Sequence, residues 1–105
     1  MPYIEGSFAE PTVITKIVYT APPQFGSRAR TSYFEASVDG KTWVKIATLP
    51  SSNDLYGAGA EITLTINDDT GYLYIRLCQG ASFYPYYWTL GTAEVFGVTV
   101  RENQD

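Results

Sequence analysis

Glu61-Ile62-Thr63-Leu64-Thr65-Ile66-Asn67-Asp68-Asp69-Thr70-Gly71-Tyr72-Leu73-Tyr74-Ile75-Arg76-Leu77-Cys78 decides the fold class of this chain. In its first part Ile62, Leu64 and Ile66 fall on one side of an extended backbone, and Thr63 and Thr65 fall on the other. After the polar run 67–71, Leu73, Ile75 and Leu77 alternate with Tyr72, Tyr74 and Arg76. A period of two on both sides of a turn predicts two antiparallel strands, each with one face in a core and one wetter face.

Outward from this pair the same signals recur. β-branched and aromatic runs bounded by Gly, Pro, Asn, Asp and Ser predict six strands, near 12–20, 32–38, 42–48, 61–66, 72–78 and 93–100. Asp39-Gly40 joins the second and third as a hairpin, because glycine accepts a positive φ without steric penalty. No segment of helical length keeps a 3.6-residue apolar period. The expected fold is therefore all-β, an antiparallel β-sandwich of the jelly-roll kind. With 105 residues, one domain spans 1–105, its core covering about 8–101. The ends, 1–6 and 102–105, are expected to be frayed or engaged with a neighbour.

Composition removes several functions. There is no histidine, so neither a Ser-His-Asp nor a Cys-His pair can form, and imidazole metal ligands are absent. Seven basic against eleven acidic residues give a net charge of −4, without the clustered Lys and Arg that nucleic acid requires. The single cysteine, Cys78, excludes an internal disulfide and reads as a small apolar residue rather than an activated thiolate. No apolar run approaches the roughly 20 residues of a membrane span, and the start does not read as a signal peptide.

If consecutive strands run antiparallel, the turns at 39–40 and 67–71 share one end of the sandwich. The long connections 21–31, 49–60 and 79–92 then share the other, where a scaffold can present a site. The third holds Phe83, Tyr84, Tyr86, Tyr87 and Trp88, five aromatics in the twelve residues 80–91. A ring face stacks on the C–H face of a pyranose while its rim stays free for hydrogen bonds. Tyr84, Tyr86, Tyr87 and Trp88 are thus candidate ligand or partner contacts. Phe83 and one tyrosine are expected instead to plug the open end. Arg28 and Arg30 with Gln24 in the first connection could donate to sugar hydroxyls. Asn53 and Asp54 in the second could accept, with Tyr56 as a further platform. Trp43, beside the hairpin, is expected to pack in the core, and Arg76 to stack between rings or pair with an acid such as Glu94. A glycosidase needs two facing carboxyl groups, one with a raised pKa. Asp68 and Asp69 lie at the turn end, and Asp54 and Glu61 have no evident partner, so no enzyme is expected.

The stretches Ile14-Thr15-Lys16-Ile17-Val18-Tyr19 and Phe34-Glu35-Ala36-Ser37-Val38-Asp39-Gly40-Lys41-Thr42-Trp43 resemble discoidin domains, also called factor V/VIII C-type or galactose-binding-like modules, through their S-x-D-G-x-x-W hairpin. Tyr72-Leu73-Tyr74-Ile75-Arg76-Leu77 is similar to the family's Y-x-R strand, and Ala93-Glu94-Val95-Phe96-Gly97 to its closing A-E-x-x-x-G. The resemblance spans residues 12 to 100. It implies a jelly roll that binds galactose-type sugars, lipid headgroups or proteins at one rim. It also implies a calcium ion held partly by the Ala93 carbonyl and by Glu94, although the N-terminal strand and loop that supply the other ligands read as shortened or absent. Compact versions of the pattern resemble those in phage tail, fibre or head proteins and in bacterial surface proteins. Two functions follow as expectations for an extracellular, cell-surface or virion protein. The first is a non-catalytic carbohydrate-binding module working through aromatic loops. The second is a structural or assembly module that uses the same loops for a protein partner or a homo-oligomer.

Overall fold

The computed structural model describes residues 3–24, 29–51, 55–80 and 91–100. It contains β1 (Tyr3–Thr20), β2 (Tyr33–Ser37), β3 (Val44–Thr48), β4 (Glu61–Thr65), β5 (Gly71–Cys78) and β6 (Thr92–Thr99). Every pairing is antiparallel, and the described residues contain no α-helix. The fold is all-β, as the period-two runs require.

β1 is the departure from expectation. It begins at Tyr3 rather than at residue 12, so residues 3–6, expected to be frayed or engaged with a neighbour, are sheet. Tyr-Ile-Glu-Gly-Ser carries no apolar alternation of its own. It is a strand because β5 offers it an edge, with Tyr3 opposite Cys78 and Ser7 opposite Tyr74. The ladder is then interrupted: from Ser7 to Thr12 β1 advances five residues while β5 moves only from Tyr74 to Tyr72. Pro11 lies in this irregular span, where its missing N–H breaks no ladder bond, and its carbonyl accepts from Val100 N at 2.8 Å.

Beyond the irregularity β1 changes layers. Its first part completes the order β3-β2-β5-β1, while residues 16–20 lie between β4 and β6. Ile14, Ile17 and Tyr19 of β1 and Ile62 of β4 are buried with Phe34 and Ala36 of β2 and Leu77 of β5. Tyr19 and Val95 of one layer line the same groove as Phe34, Ile75 and Leu77 of the other. Each fully buried aliphatic side chain contributes about 1.5–3 kcal/mol, so the interlayer core drives folding. At one end Ala21, Ala29, Leu49 and Tyr56 close this core.

Trp43 is not in that core. Ala36, which points inward, faces Val44, so residue 43 falls on the outer side. There its ring centroid lies 4.0 Å from the Arg76 guanidinium carbon. Arg76 also lies over the Tyr3 ring at 4.9 Å, so the expected stacking between rings is present. Its acid is Glu35, with Nε donating at 2.7 Å, and not Glu94, which sits on β6 opposite Val18. Cys78 is buried, and burial followed by the nearby Glu35 carboxylate pushes its thiol pKa up.

Two carboxylates organise the turns at the opposite end. Asp39 Oδ1 accepts from Lys41 N at 2.8 Å and Thr42 N at 3.0 Å, and Gly40 takes the expected positive φ of 80°. Asp68 accepts from the Tyr72 hydroxyl at 2.5 Å and from Thr70 N at 2.9 Å. Thr42 and Lys41 amides lower the pKa of Asp39; the Tyr72 hydroxyl and then Thr70 lower that of Asp68. A carboxyl whose folded pKa lies below its unfolded value of 3.8 stabilises the fold above that value. The stabilisation is lost as pH falls through the folded pKa. Urea titrations between about pH 5 and about pH 2 should therefore show stability falling as the pH is lowered. Asp39→Asn with Asp68→Asn should flatten that slope, and an unchanged slope would show that the two turns contribute nothing to acid stability.

Candidate functional site

The strand register fixes where the long connections go. Thr20 is paired with both Glu61 and Thr92, so one end of β1, β4 and β6 coincides. Tyr33 is paired with both Thr48 and Cys78, so the matching ends of β2, β3 and β5 coincide as well. The connections 21–32, 49–60 and 79–91 each join the first group to the second, and their described ends, 21–24 and 29–32, 49–51 and 55–60, and 79–80 and 91, gather at one pole. The shorter links 38–43 and 66–70 lie at the other.

The base of this pole is locked by backbone contacts. Ala21 N donates to Ala60 O at 2.8 Å and Gly59 N to Ala21 O at 3.2 Å, while Leu49 N donates to Ser32 O at 2.7 Å. These bonds tie the first and second connections together. Glycines tie the third to the first. A Cβ on Gly80 would fall 2.4 Å from Thr31 O, and one on Gly91 would fall 1.7 Å from Thr20 O. Gly91 N also donates to the Tyr19 hydroxyl at 2.8 Å. Burial raises the pKa of that hydroxyl, so it stays protonated at neutral pH. Thr31 holds a φ of 64°, a conformation that a β-branched residue adopts only where its surroundings impose it.

Of the residues chosen from sequence, Arg30 and Tyr56 are both described at this pole, and they lie close enough for the guanidinium to act on the phenol. Tyr56 is not an open stacking platform. It is 4% exposed, and its hydroxyl donates to Pro50 O. Burial, and then the neighbouring Tyr19, push its pKa up to about 12, against the opposing effect of Arg30. The second connection turns this ring inward to close the sandwich end; Phe83 and one tyrosine of the third, expected to plug that end, lie outside the described residues. Gln24 is exposed. Arg28, Asn53, Asp54, Phe83, Tyr84, Tyr86, Tyr87 and Trp88 lie outside the described residues.

Ala93 and Glu94 are adjacent on β6, opposite Tyr19 and Val18. A calcium ion takes six to eight oxygen ligands. Among the described residues no group of three or more His, Cys, Asp or Glu stands together that could hold a metal ion. Nor does any described helix have the length and apolarity to cross a membrane.

Sequence reasoning missed the locking contacts. Gly80 and Gly91 carried a signal as glycines at the margins of a long connection. Thr31 carried none, since nothing local marks a threonine for a left-handed backbone. Also missed was a groove of about 270 Å³ between the first part of β1 and β6, lined by Ile4, Phe34, Leu77, Ala93 and Val95 among others. Its lining is largely apolar and gives a polyhydroxylated ligand few partners.

No protein-family model matches the chain, and no curated protein matches it by sequence. A solved structure does match. It is the crystal structure of a fragment, residues 298–461, of a "putative chitobiase" from Bacteroides thetaiotaomicron. The TM-score is 0.70 at 18% identity, over 96% of this chain and 63% of that one. The chain thus spans slightly less than two thirds of that fragment, and the likeness establishes a shared fold.

Proposed function

We propose that the chain is a non-catalytic carbohydrate-binding module that meets glycans at the pole where its three long connections gather. The convergence of those connections carries the reading, because the third of them holds five aromatic residues in sequence. A locked base beneath the long connections suits recognition, since a pre-organised site spends less binding energy on ordering. Two likenesses support it: the discoidin-like hairpin pattern, and the fold shared with a fragment of a "putative chitobiase". The carboxyl groups support the absence of catalysis. Asp39 and Asp68 lie at the far end with lowered pKa values, the reverse of what a general acid needs.

Calorimetric titration with N-acetylglucosamine oligomers and galactosides, extended to a broad glycan array, tests the reading. Saturable binding is expected, weakened by roughly 1–3 kcal/mol in Trp88→Ala or Tyr86→Ala. Silence of the folded protein across the whole array would favour the assembly module instead.

A further inference from the structure

The outer face of the β3-β2-β5-β1 layer carries an ordered mosaic that the glycan reading does not use. Directly opposed residues share a face, so the register lays the side chains out in rows across the strands. From β1 to β3 one row reads Glu5, Arg76, Glu35, Lys45, alternating in charge. The row nearer the loop pole reads Tyr3, Cys78, Tyr33, Thr48, alternating large and small. On the far side come Ser7, Tyr74 and Ser37. The rings brace the charges: Arg76 lies between Tyr3 and Trp43, and Lys45 Nζ lies 4.5 Å over Tyr33. Glu5, Lys45 and Thr48 are exposed, and Tyr3 is 51% exposed.

We propose that this face docks a second copy of the chain about a two-fold axis parallel to the strands. Such an axis reverses the strand order while keeping each row in place. Glu5 then faces Lys45 of the other copy, and Arg76 faces its Glu35. In the next row the exposed Tyr3 faces the exposed Thr48, large against small. A two-fold axis across the strands would set each charge of the ladder against itself, which costs rather than stabilises. The chain carries a net charge of −4, yet the ladder holds two acids and two bases, so copies meet here without net repulsion.

Three strand spacings and five residues give a patch roughly 20 Å on a side with its side chains, at the low end of specific interfaces. A reversible dimer is therefore expected, weakened by salt. Both loop poles would point the same way, making the pair bivalent; that consequence rests on the glycan reading, whereas the dimer does not.

Sedimentation equilibrium on the whole chain tests the proposal, with circular dichroism to verify folding. Wild type should dimerise with concentration. Glu5→Lys and Lys45→Glu should each raise the dissociation constant at least about tenfold, because each sets like charges opposite one another. Their equimolar mixture should dimerise again, as should the double variant, since both restore opposite charges across the axis. A wild type monomeric to about 1 mM, dimers indifferent to the single reversals, or a mixture that stays monomeric while its components are folded would each overturn it.

Discussion

Replacing Gly91 with alanine should destabilise the protein by about 3 kcal/mol or more, a drop of over about 12 °C in melting temperature. Gly80→Ala should come close behind. The new Cβ at position 91 would meet the Thr20 carbonyl oxygen at 1.7 Å and its carbon at 2.8 Å. Both belong to backbone, and no rotamer change relieves them. Moving the strand start away would also withdraw Gly91 N from the Tyr19 hydroxyl, leaving a buried polar group short of its partner. At Gly80 the clash falls on Thr31 O at 2.4 Å and Thr31 Oγ1 at 2.2 Å, in a residue already held at a φ of 64°. Gly6→Ala provides the control. Nothing lies within 4 Å of its added Cβ, so alanine there should be neutral or slightly stabilising through the unfolded chain. Thermal and urea denaturation of the three variants checks the ranking. Equal midpoints would mean that the connections are not latched by these glycines.

The contrast between these glycines shows which parts of the structure were legible in the residues. Period-two alternation in Ile62-Thr63-Leu64-Thr65-Ile66 reports a local property, the side on which each chain segment is dry, and strands β2 to β6 follow from such patterns. The common pole was legible too, because loop lengths and strand order are enough to group the connections. Contacts between distant segments were not. Tyr3 pairs with Cys78, and Arg76 takes Glu35 rather than Glu94, for reasons that lie in sheet order. Trp43 was misplaced for a related reason. A large ring beside a turn suits a core, but the register fixed by Ala36 opposite Val44 sends it outward to cover a guanidinium. The candidate site divides along the same line. Tyr56 looked like a platform by residue type alone, and its burial depends on Leu49, Ala29 and Ala21 closing the same end around it.

The opening strand gives the second large effect. Deleting residues 1–7 should lower stability by about 3 kcal/mol, whereas an end that is merely frayed could be removed without loss. Little of this comes from the segment's own burial, since Tyr3 and Ile4 are 51% and 58% exposed. Its ladder bonds contribute about 0.5–1.5 kcal/mol each, and ordering each residue costs about 1–2 kcal/mol, so those two quantities nearly cancel. What remains is the cover it gives to β5. Leu77 and Cys78 are 9% and 4% exposed with Ile4 and Tyr3 paired alongside them, and both would become edge residues facing water. Arg76 would lose one of its two stacked rings. The truncated chain should thus melt roughly 12–20 °C lower, still in one cooperative transition, because the Ile14, Ile17 and Tyr19 core remains. Dimerisation should disappear with it, since Glu5 leaves the ladder and Lys45 has no opposite charge to meet. If instead the truncated chain melts within about 3 °C of full length, β5 is the edge of that layer, and the self-docking face, which needs Glu5 opposite Lys45, is overturned with it.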